Sequence, residues 1–152
     1  MRIMRRILNC LLAMVVLISV AGCSFIEYSY PYAQDLDKVE KVELCRYDYW
    51  TKTVEVISVL DMDTAALLLS DIASLSCYRP FGDRSRDYGE IVLYISYTNG
   101  AAEVIGMVNT ATVDLDGRWM MTGYYFDYAQ WCEVVMKYVD PELVPELHRY
   151  LE

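Results

Sequence analysis

Two dipeptides, Asn99-Gly100 and Asp116-Gly117, set the strongest limit on what this chain can fold into. Both tolerate positive φ at the two central positions of a tight turn, the geometry that joins antiparallel strands with matching twist. The flanking sequence alternates as such strands require. Residues 90–98 place Ile91, Leu93, Ile95 and Tyr97 on one side, and residues 101–108 return as the partner. Residues 112–115 and 118–122 flank the second turn in the same way. Tight turns of this kind build an antiparallel sheet, since parallel neighbours need long crossovers.

Four more elements follow from periodicity. Residues 39–49 read as a strand, with Val42 and Leu44 facing one way and Glu43, Cys45 and Tyr47 the other. Residues 52–60 read as its hairpin partner, with Val54, Val56 and Leu60 on one side and Asp48 and Thr51 in the connection. Asp61 or Asp63 can cap a helix over 64–76, where Ala65, Leu68, Ile72 and Leu75 recur at helical spacing. Asp127 can cap a second helix over 128–139, with Trp131, Val135 and Val139 on one face, and Asp140-Pro141 ends it. The polar stretch 79–89, RPFGDRSRDYG, is a loop. The predicted order is ββαββββα, an α+β fold in two layers: one antiparallel sheet with two helices packed on one face. The expected domain spans residues 38–140, with 141–152 as a C-terminal tail. At 152 residues the chain is long enough for one domain and too short for two ordinary ones.

The first 22 residues differ from all that follow. Arg2, Arg5 and Arg6 precede an almost wholly apolar run from Ile7 to Val20, and the segment holds no acid. The run is shorter than the ~20 residues a spanning helix needs, so it reads as a secretory signal rather than a membrane anchor. Its end, Val20-Ala21-Gly22-Cys23, resembles the lipobox of bacterial lipoproteins: a branched aliphatic residue, two small residues and a cysteine. The resemblance implies cleavage between Gly22 and Cys23, a diacylglycerol thioether on Cys23, and a protein held at the cell membrane on its extracytoplasmic face. Residues 23–37 are then a lipidated tether. The mature chain keeps 10 cations against 22 acids, a net charge of −12. That balance argues against nucleic acid as a partner, because phosphate contacts need Lys and Arg. It suits solubility, and it keeps the body off anionic headgroups.

The body also resembles small lipoproteins of Gram-positive bacteria with no assigned function. They share paired strands, a capped helix, a loop, two hairpins and a last helix. Here Tyr97-Thr98-Asn99-Gly100 and Asp116-Gly117-Arg118-Trp119 occupy the hairpin places. These are features of turn chemistry, and they carry no catalytic residue across.

Little in the sequence points to catalysis. The only histidine, His148, lies in the expected tail, which leaves no positioned imidazole for a triad. Asp114-Leu115-Asp116-Gly117 lacks the Glu that a calcium loop places six residues after its glycine; Gly123 stands there. No Cys/His spacing fits zinc, so neither a metal nor a cofactor is expected. After Cys23, three cysteines remain; Cys132 reads as a small buried hydrophobe, and a Cys45–Cys77 disulfide is left open. The 14 tyrosines stand out. Trp119, Tyr124 and Tyr125, with Phe126, Tyr128 and Trp131, form an aromatic cluster. Core packing accounts for it more simply than a binding surface. Arg79, Arg84 and Arg86 in the polar loop are the second candidate surface, since guanidinium grips carboxylate or phosphate.

The expected role is a non-catalytic binding module for an extracytoplasmic protein or cell-envelope partner, acting through the free face of the sheet or the 79–89 loop. An inhibitor or immunity-type lipoprotein that blocks a secreted enzyme is the alternative, an acidic surface suiting a basic target. A carboxylate-dependent hydrolase ranks last, because 22 acids always offer some pair.

Overall fold

The computed structural model describes residues 27–29, 36–78, 89–113 and 115–151. The expected signal segment, Cys23 and the loop arginines Arg79, Arg84 and Arg86 lie outside the described residues. In chain order come β1 (Glu27–Ser29), β2 (Val39–Asp48), β3 (Thr53–Leu60), α1 (Met62–Ala73), β4 (Ser76–Tyr78) and β5 (Ile91–Tyr97). Then follow β6 (Ala102–Gly106), β7 (Thr110–Val113), β8 (Trp119–Met121), β9 (Tyr125–Phe126) and α2 (Tyr128–Tyr138). Two 3-10 turns, Pro141–Leu143 and Pro145–Tyr150, close the chain.

The fold is α+β, as the periodicity predicts. Six strands form one antiparallel sheet in the order β3-β2-β5-β6-β7-β8. Gly100 and Gly117 take φ values of +82° and +76° in the two predicted hairpin connections, but Asn99 and Asp116 do not take positive φ, and β7 ends at Val113 with β8 starting at Trp119, so the second connection is longer than the expected two-residue turn. Asp61, not Asp63, caps α1: its side chain accepts from the Thr64 amide at 2.9 Å. Asp127 caps α2 by accepting from Gln130 N at 3.0 Å. Both helices lie on one face of the sheet. Ala65, Leu68, Leu69 and Ile72 of α1 and Trp131, Cys132 and Val135 of α2 pack with Val42, Leu44, Leu93, Ile95 and Ile105 of the sheet. Each large apolar side chain buried there contributes about 1.5–3 kcal/mol against solvent exposure.

Four expectations are corrected. First, α1 ends at Ala73 instead of Ser76, where Ser74 N turns back to Asp71 O at 3.1 Å. The chain then extends, so Cys77 sits in strand β4 rather than at a helix end. Second, β4 pairs with β1 and β9 in a separate three-stranded sheet, so residues 27–29 of the expected 23–37 tether belong to the fold. These strands have two or three residues, too few to show a period. Third, Val54, Val56 and Leu60 do not share a side. Leu44 pairs with Ser58 and Cys45 with Val56, so Ile57 is an extra residue that reverses the alternation. Val54 and Val56 oppose Tyr47 and Cys45, whereas Leu60 opposes Val42. Fourth, residues 141–151 are not a tail. Val144 and Leu147 are buried in the main core.

The second face of the sheet is not a free platform. Tyr47 on β2 and Trp119 on β8 belong to strands four places apart, about 19 Å in a flat sheet. Their rings nevertheless stack, with centroids 5.5 Å apart at 26°. The sheet is therefore rolled, with Cys45, Val92, Ala102, Val104, Ala111 and Val113 buried in its hollow. Small side chains there allow the tight curl. The roll stays open, since no ladder joins β3 to β8 among the described residues.

Candidate binding cleft

The site begins with the β2–β3 turn. Asp48 Oδ1 accepts from the amides of Trp50 at 2.8 Å and Thr51 at 3.0 Å, a local clamp typical of aspartate in turns. Lys52 closes the turn with φ +58°, and its N–H donates to Asp48 O at 2.8 Å. Its ammonium lies 3.4 Å from the centroid of the Tyr49 ring, and Tyr49 meets Trp50 edge-on at 5.3 Å. The result is a tryptophan 88% exposed on a fixed backbone.

The opposite wall comes from the end of the chain. In a 3-10 turn, residues three apart are eclipsed. Val144 and Leu147 use one side of the last turns to enter the core, which sends Glu146 and Arg149 to the other. Arg46 Nε donates to Glu146 Oε1 at 2.7 Å, and Arg46 Nη1 reaches Glu55 at 3.5 Å. Arg149 pairs with Glu90. Tyr128, at the start of α2, meets Tyr150 edge-on at 6.0 Å. Between these walls lies a cleft of about 670 Å³.

Its electrostatics are largely settled internally. Burial pushes the Glu146 carboxyl upward, but the Arg46 hydrogen bond and charge outweigh it, so the group is held below the ordinary glutamate range. Glu146 Oε2 is buried and has no hydrogen-bond partner among the described residues. Two arginines face three carboxylates, Asp48, Glu90 and Glu146, around the cleft.

The residues singled out in the sequence do not converge here. Tyr125 is 4% exposed and packs on Tyr78 at 5.8 Å, within the small sheet. Tyr124 is half-buried against the main core. Trp119 lines a different recess of about 570 Å³ between the open edges of the rolled sheet, with Tyr47, Lys52, Arg118 and Met121. The aromatic cluster is thus divided: Tyr125, Phe126 and Trp131 are buried, Trp119 joins the hollow, and Tyr128 reaches the cleft. The 79–89 loop rejoins the described chain at Gly89, which lines the cleft. Trp50, Arg46, Glu146 and Arg149 went unnoticed in the sequence. The one signal for them was Tyr49-Trp50, two large aromatics in a turn where small polar residues are the rule.

Cys45 and Cys77 are reduced, and the left-open disulfide is not made. They occupy separate clusters, Cys45 in the hollow of the roll and Cys77 under the helices. Burial pushes Cys45 up to about 12 and Cys77 and Cys132 up to about 11, which leaves all three poor nucleophiles. Among the described residues no group of three or more His, Cys, Asp or Glu side chains is placed to hold a metal. His148 is exposed on the last turn. Among the same residues no helix is long and apolar enough to cross a membrane. No family model matches the chain, and no curated protein or solved structure matches it either.

Proposed function

We propose that this chain is a lipid-anchored extracytoplasmic binding protein, acylated at Cys23, whose recognition site is the cleft beside the β2–β3 turn. The observation that carries the binding assignment is Trp50. A tryptophan left 88% exposed, on a backbone clamped by Asp48 and buttressed by Tyr49, is a rigid contact surface that loses little freedom on binding. Arginine and tyrosine stand around it, the residue types that dominate binding energy at interfaces. The anchoring half rests on the residue order before Cys23. Two acyl chains hold a protein stably at a bilayer, and a body of charge −12 stays clear of anionic lipid. The role proposed is binding without chemistry. A general acid needs a raised pKa, and Arg46 moves Glu146 the other way.

A photo-crosslinking residue placed at position 51, exposed beside Trp50, in the full-length protein in its own cell envelope tests the reading. A discrete adduct is expected from position 51 and not from position 67, an exposed site on α1 away from the cleft. The same adducts from both positions, or none from position 51, would contradict it.

A further inference from the structure

We infer that the cleft takes an uncharged, polyhydroxylated ligand, a glycan chain of the cell envelope. The inference rests on the binding role proposed above and adds the chemical class of the ligand. Three observations favour sugar over the other classes. The recess of about 670 Å³ has the size of a small-molecule site, whereas a protein partner needs a broad face of roughly 800 Å² on each side. Its charges are already satisfied by one another: Arg46 by Glu146, Arg149 by Glu90. A charged ligand would have to break one of these pairs to gain a partner. Two buried carboxylate oxygens of the lining carry no hydrogen bond among the described residues, Glu90 Oε2 and Glu146 Oε2; the first is met by the Arg149 ion pair, and the second is open to a neutral donor such as a hydroxyl.

The aromatic side chains complete the match. A sugar ring has an apolar face of C–H groups and a rim of hydroxyls. Trp50 offers a flat apolar surface of that size, and Tyr128 and Tyr150 add aromatic surface to the lining. The paired guanidinium and carboxylate groups, with Asp48 held by the turn amides, then present donors and acceptors that orient a ligand. Trp50 is clamped before any ligand arrives, so little ordering is left for binding.

The test uses the full-length protein in detergent micelles, with its three tryptophan indole resonances followed during titration with β-1,4-linked N-acetylglucosamine tetramer and, separately, with maltotetraose. The expected result is a saturable shift confined to the Trp50 indole with at least one oligosaccharide, at a Kd on the order of 1 mM or tighter. Trp50→Ala should weaken it by about tenfold or more, and Glu146→Gln should weaken it by a smaller factor. Leu67→Ala, on an exposed site of α1 away from the cleft, should leave it unchanged. Absence of a saturable shift with either sugar, or a shift that survives Trp50→Ala, overturns the glycan assignment. If the sugars fail while position 51 still crosslinks a protein, the binding role stands and the ligand class is wrong. If both fail, the binding role falls as well.

Discussion

At the scale of single residues, most of the account concerns aspartates and glutamates with defined partners. Asp61 caps α1 through Thr64 N, while Asp63 stands in the first turn. Asp61→Ala should therefore lower stability by about 1 kcal/mol in urea denaturation, and Asp63→Ala by no more than about 0.5 kcal/mol. Equal losses would show that the cap is shared. Gly117 sits at φ +76° with open space around its Cβ position, so the cost of Gly117→Ala is backbone strain alone, about 1–2 kcal/mol. Glu146 makes stability depend on pH. Its folded pKa lies below the unfolded one, so the carboxylate form stabilises the fold. That contribution is complete above the unfolded glutamate range, about 4.3, and is lost as pH falls through the lower folded value. Melting temperatures of the wild type and Glu146→Gln should differ at neutral pH and converge in acid. A gap that persists unchanged at low pH would remove Glu146 from this role.

At the scale of elements, the structure separates what local chemistry specifies from what only the whole chain decides. The two hairpin connections, both helix caps and the helix faces were readable, because each depends on neighbours within four residues. Strand β5 was readable, but its pairing with β2 was not: Cys45 and its partner Val92 lie 47 positions apart, and β3, α1 and β4 intervene. The roll of the sheet was equally hidden, since alternation tells two faces apart without saying which one curls inward. Ile57 reverses the alternation of β3 without any proline or glycine to mark the bulge. The last turns show the same limit. Val144 and Leu147 are three apart, a spacing too short to separate a packed 3-10 turn from a loose tail. Leu147→Ala should cost about 2–5 kcal/mol, as for a core leucine, whereas a tail residue would cost almost nothing. Denaturation with the midpoint read by circular dichroism decides between them. The cleft was hidden for the same reason, since Arg46 and Glu146 meet across 100 residues of sequence.

At the scale of the molecule, three features combine into one device. A lipid on Cys23 would place the domain at the outer surface of the membrane, its acidity would hold it off that surface, and the Trp50 cleft would meet what lies beyond. The sheet, rolled on itself and backed by two helices, brings together cleft walls from both halves of the chain. Mass spectrometry of the protein extracted in detergent from its own membranes tests the proposed anchor. The predicted product begins at Cys23, lacks residues 1–22 and carries a diacylglycerol thioether on that sulfur. A product with Met1 still in place, or with an unmodified thiol at position 23, would contradict it.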